Sequence, residues 1–112
     1  MTLREREVGD VTILDIDGRI TIQDGADEFR TVARQLLSLS RVRLVLNLHG
    51  APYIDSTALG EIVRLHASVT RRRGSMKLLH VTPRVKELLT TTRLLPVFDL
   101  FDDEAEAVKS TR

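Results

Sequence analysis

The sequence has no cysteine, which excludes a disulfide scaffold, a thiolate metal site and a cysteine nucleophile. Aromatic residues make up only 4% of the chain and tryptophan is absent, which argues against a surface that stacks single-stranded bases. No apolar run approaches the roughly 20 residues that a membrane-spanning helix needs. The first ten residues, MTLREREVGD, lack the apolar core of a signal peptide. We therefore expect a cytoplasmic protein.

An excess of charge of one sign is also missing. The chain has 17 Lys and Arg against 16 Asp and Glu, so its formal net charge is +1, which excludes nucleic-acid binding driven by gross charge. The densest basic run, Arg71-Arg72-Arg73, is interpreted as a complement to a helix dipole rather than a nucleic-acid site. With 112 residues, 42% of them hydrophobic, the chain has the size of one domain, residues 1–112, with one core.

The apolar pattern predicts strands that alternate with helices. Short β-branched or continuously apolar runs indicate strands, and apolar residues spaced i, i+3, i+4 and i+7 indicate helices. The predicted strands are 3–8, 11–16, 44–48, 76–81 and 97–100, and the predicted helices are about 29–37, 56–73, 83–89 and a short one after Asp103. This order predicts an α/β fold with a mixed, mainly parallel β-sheet of four to five strands and about four α-helices.

Polar residues ahead of the helices predict where each helix begins. Asp24 or Asp27 is expected to cap the first helix, and Thr82 the third. Asp103 with Glu106 forms a capping-box-like start of the fourth. The segment before the first helix is expected to be a loop.

Three consecutive candidate caps, Asp55, Ser56 and Thr57, begin the longest predicted helix. Each of them is a usual capping residue, so one interpretation gives them no role beyond the helix end. One helix, however, needs only one of them. The other interpretation is that one residue caps the helix and leaves a hydroxyl exposed for modification, at a helix end that favours negative charge.

The segment Asp55-Ser56-Thr57-Ala58-Leu59-Gly60 resembles the D-S-[ST]-[GA]-L-G motif of bacterial anti-sigma factor antagonists. These proteins are single-domain members of the sulfate transporter and anti-sigma factor antagonist (STAS) domain family. Further pieces resemble the family in the same order along the chain: Gly18-Arg19-Ile20, Leu44 to Leu48, Gly74, Lys77 to Val81, Pro83-Arg84-Val85 and Phe98 to Ala107. The resemblance implies a STAS-type single domain.

The resemblance also implies a function without enzymatic activity, cofactor, direct nucleic-acid contact or membrane insertion. The unphosphorylated antagonist would bind an anti-sigma factor serine kinase and free a sigma factor. Phosphorylation, which falls on Ser56, would switch binding off, and a metal-dependent serine phosphatase would reverse it. The residues expected to contact the partner are Arg19, Thr21, Asp24, Asp55, Ser56, Thr57 and Leu59.

Two positions depart from the family pattern. Ala58 stands where many antagonists have glycine, and a residue this small gives no steric reason to lose function. The loop after Gly18 often reads G-x-x-D, whereas this chain has Thr21 at the matching position. Asp24, three residues later, is expected to substitute for that aspartate.

Two other functions are weighed against this one. A STAS-like module could serve as a scaffold in a signalling complex or as an accessory subunit of a membrane transporter, but neither needs a phosphorylatable hydroxyl at this turn. An enzyme has little support, because no G-x-S-x-G surrounds Ser56 and no P-loop is present. His49, His66 and His80 lack metal-ligand spacing, and His66 is expected to pack beside an apolar helix stripe.

Overall fold

The computed structural model describes residues 1–112 as a five-stranded sheet with four α-helices. The strands are β1 (Thr2–Val8), β2 (Val11–Asp17), β3 (Arg43–Gly50), β4 (Ser75–Leu79) and β5 (Leu100–Phe101). The helices are α1 (Ala26–Ser38), α2 (Ser56–Arg71), α3 (Pro83–Thr91) and α4 (Glu104–Ser110). The predicted α/β class is confirmed.

The sheet has the strand order β1-β2-β3-β4-β5, in which β1 is antiparallel to β2 and all other pairs are parallel. Because β2 and β3 are parallel neighbours, the loops that leave them meet at one edge of the sheet. Backbone contacts hold these loops together. The Gly18 N–H donates to the Gly50 carbonyl at 2.7 Å, and Ile20 forms a bridge with Ile54.

The two faces of the sheet pack unequally. One face carries the main core, to which β3 contributes Leu44, Leu46 and Leu48. On the other face, Val45 belongs to a smaller cluster that includes Ala107 of α4. The continuous apolar run of β3 therefore reflects burial on both faces. None of the helices combines the length and apolar character that crossing a bilayer requires.

The predicted cap of α1 is wrong. Gly25 occupies the N-cap position with φ of 99°, and no side chain caps the helix. That left-handed conformation is readily accessible to glycine. Asp27 lies inside the first turn, where it pairs with Arg30 at 2.7 Å, and the Asp24 carboxylate accepts hydrogen bonds from the Met1 amino group at 3.1 Å.

Several element boundaries also differ from the predictions. The expected strand 97–100 starts later, because the chain first makes a 3₁₀ turn at Leu95–Val97, and Pro96 has no N–H for a strand ladder. β4 ends before His80, whose φ is 55°, and α2 ends at Arg71, two residues early.

The other two predicted caps have different outcomes. Thr82 holds the N-cap position of α3, but its side chain makes no capping bond and donates instead to the Ala51 carbonyl at 3.4 Å. Asp103 does cap α4 by accepting from the Glu106 N–H at 3.0 Å.

Candidate functional site

Asp55 joins the start of α2 to the loop that follows β2. Its Oδ1 accepts from the Ala58 N–H at 2.9 Å, which makes it the N-cap of the helix. Its Oδ2 accepts from the Ile22 N–H at 2.8 Å. The hydrogen bond from Ala58, with that from Ile22, holds the pKa of the Asp55 carboxyl below its usual range, since both stabilise the charged form.

Ser56 and Thr57 follow Asp55 and differ from it in having no structural task. Both side chains are exposed, and neither hydroxyl makes a hydrogen bond within the chain. Since Asp55 meets the need for a cap, both hydroxyls are left open to solvent. The arrangement can accept a modification without breaking an existing contact.

The loop after β2 is a tight turn beside Asp55. The Thr21 N–H donates to the Asp24 carbonyl at 2.8 Å, and the Asp24 N–H donates back to the Thr21 carbonyl at 3.1 Å. Ile22, at the tip of this turn, is 64% exposed although it is a large apolar side chain. The Asp24 side chain is 61% exposed, and its negative charge is partly offset by the Met1 amino group.

Two hollows flank this edge of the sheet and share Tyr53 and Asp55. The first, of about 480 Å³, brings together four residues predicted to contact the partner: Arg19, Thr21, Asp24 and Asp55. The second, of about 310 Å³, lies between the start of α2 and α3, and its lining includes Ser56, Arg84 and Glu87.

Tyr53 is stacked with two arginines. The guanidinium carbon of Arg19 lies 4.9 Å from the centroid of its ring, and that of Arg84 lies 4.7 Å from it. Both distances fall within the range of a cation–π contact. Sequence reasoning missed Tyr53 and Arg84 as site residues. The sole tyrosine of the chain, two residues before Asp55, was the available signal.

Leu59 does not lie on this surface. It is only 4% exposed and belongs to the main core, so its expected contact with a partner is not available to the folded chain. Ala58 is 1% exposed in the same core, which accounts for a small residue at this position.

The remaining candidates lie apart from this surface. His66 packs edge-on against Phe98 with ring centroids 5.0 Å apart, which confirms the expected packed histidine, and burial lowers its pKa. No group of three His, Cys, Asp or Glu side chains is placed to hold a metal ion. The run Arg71-Arg72-Arg73 lies at the far end of α2, about 24 Å from Ser56 at 1.5 Å per residue.

Known proteins resemble the chain in sequence. The profile of the STAS domain family matches residues 3–107. An anti-sigma F factor antagonist from Paenibacillus polymyxa is 29% identical over 65 residues, which are 58% of this chain and 56% of that protein. The match thus spans little more than half the length of that curated relative.

Solved structures resemble the whole chain. A Thermotoga maritima protein described as an anti-sigma factor antagonist is 27% identical and superposes with a TM-score of 0.91, covering 98% of this chain and 94% of that one. The phosphorylated form of the Bacillus cell fate determinant SpoIIAA gives a TM-score of 0.79 over 99% of this chain and 100% of that one. At 15% identity, the second likeness shows the fold alone. Together with the family match over nearly all of its length, these likenesses confirm the resemblance, and the chain belongs to the STAS domain family.

Proposed function

We propose that the chain is an anti-sigma factor antagonist, residues 1–112 acting as one domain, and that phosphate on Ser56 controls it. The unphosphorylated form binds an anti-sigma factor serine kinase and thereby frees a sigma factor. The kinase transfers the γ-phosphoryl group of ATP to the Ser56 Oγ, which loses its proton, and ADP leaves. A metal-dependent serine phosphatase hydrolyses the phosphate and restores the hydroxyl. The chain itself is a regulatory binding protein rather than an enzyme.

The observation that carries this proposal is the contrast between Asp55 and Ser56. Asp55 holds the helix end and the neighbouring loop with both carboxylate oxygens, whereas the Ser56 hydroxyl is exposed and unbonded. A phosphate on Ser56 therefore breaks no contact of the fold. Its charge is also tolerated at a helix N-terminus. The 29% identity to a curated antagonist supports the same function.

A phosphate at this point can switch binding without a change of fold. It adds about −1.5 to −2 charges beside Asp55, on a surface that a partner must desolvate. A loss of about 2 to 3 kcal/mol already corresponds to a factor of about 30 to 150 in affinity. In this proposal the partner surface consists of Arg19, Thr21, Asp24, Asp55, Ser56 and Thr57.

Phosphopeptide mapping tests the acceptor. The chain is incubated with ATP and its anti-sigma factor kinase, alongside the Ser56→Ala and Thr57→Val variants. We expect phosphate on Ser56 in the wild type and in Thr57→Val, and none in Ser56→Ala. Phosphate on Thr57 alone, or only on Ser38, Ser40 or Ser75, contradicts the assignment.

A binding titration tests the switch. Ser56→Ala should retain the anti-sigma factor, and Ser56→Asp should bind it more weakly. Ser38→Asp is the matched control, because it adds the same charge to an exposed serine at the far end of α1. Equal affinity of Ser56→Ala and Ser56→Asp would remove phosphorylation as the switch and favour a scaffold or transporter-accessory function.

A further inference from the structure

Arg84 is an exposed arginine without a charged partner. Its guanidinium makes no ion pair or hydrogen bond and stacks on Tyr53, 4.7 Å from the ring centroid. It lines the hollow of about 310 Å³ that Ser56 also lines. Of the nine residues that form this hollow, Arg84 is the sole cation.

The place of Arg84 in its own helix does not explain it. It is the second residue of α3, directly after Pro83, and no acidic residue lies in that first turn. A cation is unfavourable at a helix N-terminus, where the helix dipole favours negative charge. The stack on Tyr53 offsets part of that cost, and residues that oppose a local rule are expected at functional sites. The guanidinium is therefore better explained by what the hollow receives.

We propose that Arg84 is the intramolecular partner of the phosphate on Ser56, and this rests on the proposed function. A guanidinium binds phosphate oxygens through two parallel N–H donors, and stacking on Tyr53 keeps it oriented for them. Phosphorylation then changes the partner surface twice. It adds negative charge at Ser56, and it withdraws the positive charge of Arg84 from any acidic group of the partner.

Two carboxylates share the hollow and oppose the phosphate. Asp55 already accepts hydrogen bonds from two N–H groups, while Glu87 forms no ion pair. Both raise the second pKa of a phosphate on Ser56, whereas the Arg84 guanidinium lowers it. The titration of the phosphate therefore measures whether Arg84 reaches it.

Arg19 provides an internal comparison. It stacks on the same ring at 4.9 Å, but it lines the other hollow, together with Asp24 and without Ser56. Lys86 is a second control, since it is an exposed cation of α3 that lines neither hollow. Glutamine in place of Arg84, Arg19 or Lys86 removes one positive charge from the same region.

The experiment is a pH titration followed by phosphorus NMR. Phosphoserine is installed at position 56 during translation, so that no kinase is needed, and its second pKa is compared among the full-length variants. We expect Arg84→Gln to raise that pKa by about half a unit or more relative to the wild type, and Arg19→Gln and Lys86→Gln by less than about 0.2. In Arg84→Lys, the second pKa of the phosphate should be lowered again in part. Tyr53→Phe should keep the pKa of the wild type, whereas Tyr53→Leu should raise it in part.

An unchanged pKa in Arg84→Gln, or a larger rise in Arg19→Gln, would overturn the proposal. Amide spectra of each variant show whether it is folded. If a glutamine variant does not fold, the Arg84→Lys and Tyr53→Phe variants still test the proposal. Failure here concerns Arg84 alone, because the phosphate is supplied without the kinase. Failure of the kinase to label Ser56 would instead contradict the proposed function and leave this titration unchanged.

Discussion

Two polar clusters of the molecule are built in opposite ways. The outer-face cluster consists of Arg6, Asp15, Asn47 and Glu104, on the side of the sheet that α4 covers. Asp15 Oδ2 accepts from Arg6 Nε at 2.6 Å, its Oδ1 accepts from Asn47 Nδ2 at 2.8 Å, and Arg6 also pairs with Glu104. Every charged group in this cluster thus has a partner within the chain.

The Ser56 surface, formed by Arg19, Tyr53, Ser56 and Arg84, leaves its polar groups open. Neither arginine has an ion pair, and the serine hydroxyl has no hydrogen bond. The outer-face cluster is part-buried between the sheet and α4, whereas the Ser56 surface lies on loops and helix starts beyond the sheet edge. Closed pairing indicates a contribution to stability, whereas charges left unpaired beside an exposed hydroxyl indicate binding. Substitutions in each cluster separate these two roles.

The largest effect is expected from Asp15→Asn. The substitution removes the negative charge that pairs with Arg6 and leaves a half-buried guanidinium with one fewer acceptor. The free energy of unfolding should fall by about 2 kcal/mol, measured by urea denaturation. Affinity for the anti-sigma factor should stay within about twofold, because 2 kcal/mol of lost stability still leaves the chain folded. A loss of binding without a loss of stability would reverse the roles of the two clusters.

Acid should weaken the outer-face cluster in a way that Asp15→Asn abolishes. The Arg6 guanidinium lowers the pKa of Asp15 from its ordinary 3.8 to about 2, with Asn47 contributing through its hydrogen bond. Because the folded-state pKa is depressed, the stabilisation is fully present above about pH 4 and is lost as the pH falls through about 2. Over that range the free energy of unfolding should fall by about 2 kcal/mol more in the wild type than in Asp15→Asn. Parallel pH curves for the two proteins would contradict this assignment.

Asp55 borders the Ser56 surface, but both of its carboxylate oxygens have partners, as in the outer-face cluster. Asp55→Ala should cost about 1 kcal/mol in unfolding free energy through the lost cap, and it also frees the Ile22 N–H. Asp55→Asn should cost less, since the amide oxygen of asparagine still caps the helix, but its NH2 group faces the Ile22 N–H and cannot accept from it. Chemical denaturation of both variants measures the difference. Equal losses would mean that the second carboxylate oxygen and the charge of Asp55, rather than the helix cap, provide the stabilisation.

The fold could be predicted from the sequence because its signals are local. The β-branched run of β2, the continuous apolar run of β3 and the caps before α2 and α4 each lie within a few neighbouring residues. The cap of α1 could not be predicted in this way, because the Asp24 carboxylate accepts from the amino group of Met1, which is distant in sequence but lies at the same open end of the β1–β2 hairpin. That contact depends on tertiary packing, which local propensity does not describe.

The site was predicted only in part for the same reason. Asp55 and Ser56 are adjacent in the sequence. The loop before α1 lies beside them because β2 and β3 are parallel neighbours. Arg84 is far along the chain and reaches Tyr53 only through the packing of α3. Leu59 looked like part of the motif surface, but the pitch of α2 turns it into the core.

The smallest effect is expected at the rim of the Ser56 surface. Asp24 is exposed and its charge is partly offset by Met1, and we expect it to attract a basic rim of the partner from a distance. Rim charges act mainly on the association rate and its salt dependence. Asp24→Lys should therefore slow association with the anti-sigma factor by roughly three- to tenfold at low salt, with a smaller difference at high salt. Stopped-flow kinetics at two ionic strengths measure both.

Arg72→Glu is the matched control for this charge reversal. Arg72 is exposed at the C-terminal end of α2, about 24 Å from Ser56 at 1.5 Å per residue, and its side chain donates to the Leu37 carbonyl at 2.7 Å. That separation exceeds the screening length of about 10 Å at 0.1 M salt, so with 0.1 M as the lower of the two ionic strengths its charge should not steer a partner that docks at Ser56. We expect an unchanged association rate. A larger defect in Arg72→Glu than in Asp24→Lys would place the interface at the opposite end of α2, and the open charges around Ser56 would then need another explanation.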